Sequence, residues 1–352
     1  MKGEIHRFNP LYTITPKLLD FIKQIYAQIA LLNTRSFPKV ILAEFESHAR
    51  EISAFSSTSI EGNPLPLTEV RKILKTKPHN ISTSQKEVIN YNNTLLMLNN
   101  QLKYEKGINL NLSLVLTIHK MTMKDLSIKA KCGKLRNEPV FANDPRLRKT
   151  VYWPPDQKDV PFLMGTLIDY IKNNRSTIDP ILLAGIFHKQ FVVIHPFIDG
   201  NGRTVRLATK VLLADMGLNT FNLFSFENYY NRNVSRYFQN VGLFGNYYDI
   251  ANSLNYTAWL EYFAEGILDE LFRVSKELNI AAVEPSKELK DYHKSILKFI
   301  EEKGFITDRE YAKITKRAKP TRALDFNKLI QLGYIERIGK GKATYYRPKK
   351  LS

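Results

Sequence analysis

Twelve consecutive residues, His195-Pro196-Phe197-Ile198-Asp199-Gly200-Asn201-Gly202-Arg203-Thr204-Val205-Arg206, bring together a base, a carboxylate, a glycine-flanked amide and two guanidiniums. Apolar residues at Val205, Leu207, Ala208, Val211, Leu212 and Leu213 predict a buried helix over Thr204 to Met216. Gly200-Asn201-Gly202 is then a loop entering a helix. Its unpaired N–H groups lie at the positive end of the helix dipole, and glycine lets phosphate oxygens come close to that backbone. Arg203 and Arg206 are three apart on one face, so two forked donors can reach successive phosphates. Asp199 at the same mouth would repel phosphate unless a Mg2+ ion lay between them. His195, with an imidazole that titrates near neutrality, can take the proton of an incoming hydroxyl as a general base. The string therefore describes a nucleoside triphosphate site with its own base. Glycine-rich helix starts and lone histidines are ordinary separately, but one fixed spacing supplying all these parts is a specific motif.

At every fixed position the run resembles the HxFx(D/E)GNGRxxR signature of the Fic (filamentation induced by cAMP) family. The resemblance implies an all-helical enzyme that transfers AMP from ATP to a Ser, Thr or Tyr hydroxyl of a protein, releasing pyrophosphate. It makes His195 the general base and Asp199 the Mg2+ ligand. Gly200, Asn201 and Gly202 would hold phosphates, and Arg203 and Arg206 would bind the outer ones. The related Doc branch, which transfers phosphate instead, usually has lysine where this chain has Gly202, and that departure disfavours kinase chemistry.

Upstream, Ser57-Thr58-Ser59-Ile60-Glu61-Gly62-Asn63 places Ser57 and Glu61 four apart on one helical face, with Gly62-Asn63 as a stop signal. Glu61 is thus a carboxylate in a last turn, where the helix dipole disfavours negative charge. The segment resembles the [S/T]xxxE[G/N] inhibitory motif of Fic proteins. That resemblance implies that Glu61 pairs with Arg206 in cis, occupying the guanidinium that should hold the γ-phosphate and leaving ATP in an unproductive pose.

Between the motifs, Gly133-Lys134-Leu135-Arg136 leads to Val140-Phe141, a turn at Asn143-Asp144-Pro145, and Thr150-Val151-Tyr152-Trp153 before Pro154-Pro155. These predict a short hairpin in a helical chain. It resembles the Fic flap, which implies that Thr150, Val151 and Tyr152 offer a free edge to a target segment by strand addition. Asn233 and Tyr237 fall where related proteins carry nucleotide-contacting Asn and Tyr residues, although Gly242 to Tyr248 is longer than the usual pattern and Tyr237-Phe238 suits a core equally well.

The 352 residues are 43% hydrophobic and 24% charged, enough for two or three domains. Cys132 is the sole cysteine, which excludes an intramolecular disulfide and a thiolate metal cluster. Met1 to Pro10 lacks an apolar signal core, and runs such as Ile181 to Phe187 are too short to span a bilayer, so a cytoplasmic protein without a membrane partner is expected. Punctuation divides the chain into a helical region 1–109, including a helix over Thr15 to Leu32, a catalytic core 110–278, a linker 279–287 containing Glu284-Pro285-Ser286, and a terminal domain 288–352. In that last domain, helices are expected over Leu289 to Glu302, Thr307 to Ile314 and Pro320 to Leu332. A hairpin from Tyr334 to Arg347 follows, turning on Gly339-Lys340-Gly341-Lys342. Three helices and a hairpin resemble a winged helix-turn-helix. From Ser286 onward 18 Lys/Arg stand against 8 Asp/Glu, a net +10 of the chain's +18. That is a footprint for nucleic-acid phosphates, with Thr321, Arg322, Asn327 and Lys328 on the third helix's outer face; docking on protein is the alternative.

The expected fold is mainly α, a Fic-type bundle with a hairpin flap and a C-terminal winged helix. The expected function is a protein adenylyltransferase using ATP and Mg2+ on a hydroxyl-bearing protein target, another protein or this chain itself. Two other readings stay open: a DNA-binding regulator that uses the nucleotide site as a sensor, and removal of AMP from a target with Glu61 acting on a water.

Overall fold

The structure, a computed structural model, describes residues 8–35, 39–76, 78, 81–104, 108–126, 132–144, 149–283, 289–331, 334–339 and 341–348. It divides into two compact units, one of residues 1–34 and 48–273, the other of residues 35–47 and 274–352. Residues 279–283 of the expected linker are helical, the end of a long helix that runs on to Val283, while 284–287 lie outside the described residues, as does Lys340 in the turn of the terminal hairpin.

The chain is mainly helical. In order come α1 (Pro16–Asn33), α2 (Lys39–Ile60), α3 (Leu67–Thr76), α4 (Thr83–Tyr104) and α5 (Leu112–Thr122), then strands β1 (Ala142–Asp144) and β2 (Lys149–Trp153). Helices α6 (Val160–Asn174), α7 (Pro180–Ile194), α8 (Asn201–Leu213), α9 (Glu227–Arg232) and α10 (Val234–Val241) follow, then β3 (Gly245–Asn246), α11 (Tyr247–Ile250) and α12 (Thr257–Val283). The last elements are α13 (Asp291–Lys303), α14 (Asp308–Ile314), α15 (Lys319–Gln331), β4 (Ile335–Ile338) and β5 (Tyr345–Pro348).

Local chemistry sets the helix starts that matter for the site. Thr15 caps α1 by accepting from the Leu18 N–H at 3.1 Å, with Pro16 at the first position. Asp179 caps α7 the same way, accepting from Ile181 N–H at 2.8 Å ahead of Pro180. Helix α7 is apolar all round and buried on nearly every face, so it is the core rather than a surface helix. Gly185 lets α12 approach it: a Cβ there would stand 2.6 Å from Leu260, and the Trp259 indole donates to the Gly185 carbonyl at 2.8 Å.

Helix α8 packs on α7, with α5 and α4 alongside. A buried polar network ties α2 and α4 to it. Lys210 donates to the Phe224 carbonyl at 2.7 Å and to Ser53 at 3.3 Å, while Tyr91 donates to Glu227 at 2.7 Å. Burial pushes the Lys210 ammonium pKa down, partly offset by Glu227 and Glu270.

The hairpin expected upstream of α6 forms, with β1 antiparallel to β2 and a bulge between Ala142 and Asn143. Asn143 and Asp144 belong to β1 rather than to the turn, and residues 145–148 lie outside the described set. The longer Gly242 to Tyr248 stretch supplies β3, which adds parallel to β2 at Tyr152 and Trp153.

In the second unit, α13, α14 and α15 enclose Ile296, Ile300, Ile306, Tyr311, Phe326 and Leu329. Strands β4 and β5 pair antiparallel, and Tyr346 stacks on Phe326 with ring centroids 3.9 Å apart. Thr307 and Glu310 form a capping box at the start of α14.

Candidate nucleotide and transfer site

His195 ends α7 in the left-handed region, φ 50°, immediately before Pro196. A non-glycine residue there costs about 1–3 kcal/mol, and the following proline narrows its choices further. Arg136 offsets that cost. Its Nε donates to the His195 carbonyl at 2.8 Å and its Nη2 to Pro155 at 2.5 Å, while its backbone N–H donates to Pro196 at 2.9 Å. The half-buried imidazole is held down to a pKa of about 4, first by burial and then by the Arg136 charge. It is neutral at physiological pH, the form a general base requires.

The loop beyond is braced from α5. The His119 ring stacks on Phe197, with centroids 3.7 Å apart, and its Nε2 meets the Asp199 carbonyl at 3.0 Å. Its Nδ1 accepts from Gly133 N–H at 2.8 Å, which assigns the proton to Nε2. Burial lowers the His119 pKa to about 4. Asn201 clamps the turn internally, accepting from Phe197 N–H at 2.9 Å and donating to the Phe197 carbonyl at 2.8 Å. Its side chain therefore shapes the cradle, which leaves its backbone N–H for a phosphate. Gly200 sits at φ +77°, and a Cβ there would stand 2.5 Å from Met123 Sδ. Helix α8 starts at Asn201, inside the expected glycine loop, and its first bond is Thr204 N–H to the Gly200 carbonyl at 3.0 Å. The N–H groups of Asn201, Gly202 and Arg203 precede that bond, so they are orphan donors of the first turn.

Arg206 is 0% exposed and lies against the end of α2. Its Nε donates to Ser57 Oγ and its Nη2 to the Ser57 carbonyl and to Glu61 Oε1, each at 2.8 Å. Burial alone would lower its pKa, and the Glu61 carboxylate together with the Tyr237 and Tyr91 hydroxyls outweighs burial and holds it above the ordinary guanidinium value. Gly202 makes room for this pair, since a methyl there would overlap Glu61 Oε1. Arg203, 3% exposed, lies 3.1 Å from Glu87 on α4 and donates to Asp199 at 3.3 Å. Three guanidinium nitrogens, Arg203 Nε, Arg203 Nη1 and Arg206 Nη1, are buried with no hydrogen-bond partner. Donors left so are costly unless an acceptor arrives, and a phosphate supplies several oxygens.

Asp199 is exposed at the mouth, with Oδ1 accepting from Gly200 N–H at 2.5 Å. One exposed carboxylate fits Mg2+, which takes few protein ligands and completes its shell with phosphates and water. Among the described residues no cluster of three His, Cys, Asp or Glu could hold a metal by itself.

Three other expected contacts have the following surroundings. Tyr237 is 2% exposed, stacked on Tyr230 at 4.8 Å and within 3.0 Å of His188. Asn233 is exposed and caps α10, accepting from Arg236 N–H at 2.9 Å. Tyr152 is 3% exposed, its hydroxyl donating to the Val193 carbonyl at 2.8 Å, and β3 occupies its outer edge. Of the expected flap edge, Thr150 and Val151 lie before the stretch that β3 covers. Arg136, His119 and Glu87 were not singled out as site residues from sequence. Arg136 sits in the Gly133-Lys134-Leu135-Arg136 lead-in to the flap, a signal available beforehand; no motif marks Glu87 or His119.

In the second unit, Arg322 is removed from the expected outer face. It donates to both Asp308 oxygens at 2.8 and 2.9 Å, while exposed lysines stand at 313, 316 and 319 around the α14–α15 connection.

Residues 109–213 match the Fic/DOC family. Over 168 residues the chain is 33% identical to a protein adenylyltransferase Fic of Drosophila erecta, covering 46% of this chain and 32% of that one. Over 217 residues it is 27% identical to protein adenylyltransferase fic-1 of Caenorhabditis briggsae, covering 60% and 40%. The chain thus spans about a third to two fifths of the length of these relatives. Among solved structures, a Fic family protein from Desulfovibrio desulfuricans superposes with a TM-score of 0.65, covering 98% of this chain and 99% of that one at 21% identity. Fic-1 from C. elegans superposes at 0.58, covering 75% and 73% at 20% identity. These likenesses establish a Fic fold. No helix among the described residues is long and apolar enough to cross a membrane.

Proposed function

We propose that this chain is a protein adenylyltransferase that moves AMP from ATP to a hydroxyl of a protein target and is restrained by Glu61. The observation that carries the reading is the set of buried guanidinium nitrogens on Arg203 and Arg206 that make no hydrogen bond, at a helix start that follows a neutral His195. The names of the relatives support the AMP-transfer class.

In the reaction, a target hydroxyl donates its proton to His195 while its oxygen attacks the α-phosphorus of ATP. The new P–O bond forms as the bond to the β-bridging oxygen breaks, and pyrophosphate leaves with the electron pair. The orphan N–H groups of Asn201, Gly202 and Arg203, with the arginine donors, bind the phosphate oxygens and stabilise their charge. Mg2+ bound at Asp199 would neutralise phosphate charge. Arg136 and His119 hold the base and the loop in place. In the resting arrangement Glu61 and Ser57 occupy Arg206, so the outer phosphate lacks its guanidinium.

The exposed lysines of the second unit, with its three-helix and hairpin order, support a further role as a winged helix that engages nucleic-acid phosphates. Parallel incubations with α-labelled and γ-labelled ATP test the reaction class: protein-bound α label is the expected result. Protein-bound γ label would mean phosphorylation, and no label on any protein would favour a nucleotide sensor.

A further inference from the structure

We propose that Glu87 is a second restraint on nucleotide binding, acting at Arg203 as Glu61 acts at Arg206. The inference rests on the reading of residues 195–206 as a nucleotide site, and deepens it.

Glu87 Oε1 stands 3.1 Å from Arg203 Nη1, the Arg203 side chain being 4% and the Glu87 side chain 23% exposed. The contact is Coulombic rather than a made hydrogen bond, because Arg203 Nη1 and Nε both remain without acceptors. Glu87 therefore balances the charge of the arginine without satisfying the hydrogen bonds of Nε and Nη1. Its other oxygen, Oε2, accepts from Asn63 Nδ2 at 2.7 Å. Asn63 lies two residues past Glu61, its N–H bonded to the Thr58 carbonyl at 3.1 Å and its Nδ2 also donating to the Ser84 carbonyl at 2.9 Å. One turn thus connects both carboxylates, Glu61 directly and Glu87 through Asn63. A phosphate oxygen that reaches Arg203 meets a carboxylate about one hydrogen-bond length from the same guanidinium, and the two like charges oppose each other in a poorly solvated place. The opposition grows with the ligand's charge, so it weighs on a triphosphate more than on a monophosphate.

Titration calorimetry of the full chain with Mg2+ and an ATP analogue whose α–β bridge is carbon tests this, with AMP as the comparison ligand. Glu87→Gln keeps an oxygen for Asn63 and removes the charge. It should tighten the analogue roughly three- to tenfold and AMP by less. Glu87→Ala, should the glutamine variant fail to fold, should move the analogue in the same direction. Unchanged or weaker binding in a variant that melts with the wild type overturns the proposal, weaker binding meaning that Glu87 positions Arg203 for the phosphate. Glu61→Gly is titrated beside it. If Glu87→Gln tightens and Glu61→Gly changes nothing in binding or transfer, the Glu61 restraint fails and this proposal stands. If no form binds the analogue, both fall with the nucleotide reading itself.

Discussion

His195 combines three properties at one residue: a left-handed backbone, a neighbouring Arg136 cation and a depressed pKa. The arrangement keeps the imidazole unprotonated, and protonation is what would disable a base. Since its folded pKa lies near 4, the acid limb of kcat/KM should lie well below the ordinary histidine value of 6.5, rate falling only as pH drops toward 4. A pH–rate profile of the free enzyme checks this, and a limb at 6.5 or above would show that Arg136 and burial do not govern His195. His195→Ala should lose transfer by roughly a hundred- to ten-thousandfold while keeping ATP affinity nearly intact, because the phosphate donors lie elsewhere. Equal loss of binding and transfer would make His195 a structural residue. The residue roles most legible in the sequence were those with fixed spacing, His195 to Arg206. Glu87 and His119 escaped notice because their partners lie far along the chain, and only helix packing makes them neighbours.

At the scale of elements, the α7–α8 connection is a rigid bracket, clamped by Asn201 within and by His119 and Arg136 from outside. Gly200→Ala tests that rigidity. Its φ of +77° and the Met123 contact leave no room for a methyl, so the variant should lose about 1–3 kcal/mol in denaturant unfolding. A loss under about 0.5 kcal/mol would mean that the loop adapts. Helices and hairpins were readable from apolar periodicity and turn residues, and the structure places them within a few residues of expectation. Aromatics were less readable. Tyr152 and Tyr237 have side chains that suit a core or a binding surface equally, and only the packing of β3 and of Tyr230 decides for the core. Nothing in the helix that carries Arg322 reveals the Asp308 that holds it.

For the whole molecule, His119, His188 and His195 are all kept neutral, each chiefly by burial. The unfolded chain protonates them near 6.5, whereas the folded chain does so near 4 at His119 and His195 and well below the ordinary value at His188, so the unfolded state binds more protons in that window. Stability should therefore fall as pH drops from 6.5 toward 4, by roughly 3 kcal/mol for His119, and melting across that range reads the loss. A melting temperature that rises on acidification would contradict it. The basic second unit should give the full chain an affinity for duplex DNA that drops tenfold or more between about 50 and 200 mM salt. Charge reversal at Lys313, Lys316 and Lys319 should weaken it, and no binding at low salt would favour docking on protein. Glu61, just past α2, restrains the transfer site by holding Arg206 on α8, more than a hundred residues further along the chain. The direct measurement is incorporation of α label from ATP into protein by the wild type, Glu61→Gly and Glu61→Gly/Arg206→Ala, each confirmed folded. Release of one charge-assisted bond predicts roughly a ten- to hundredfold rise in Glu61→Gly, abolished in the double variant; a rate in folded Glu61→Gly equal to or below the wild type would contradict the account.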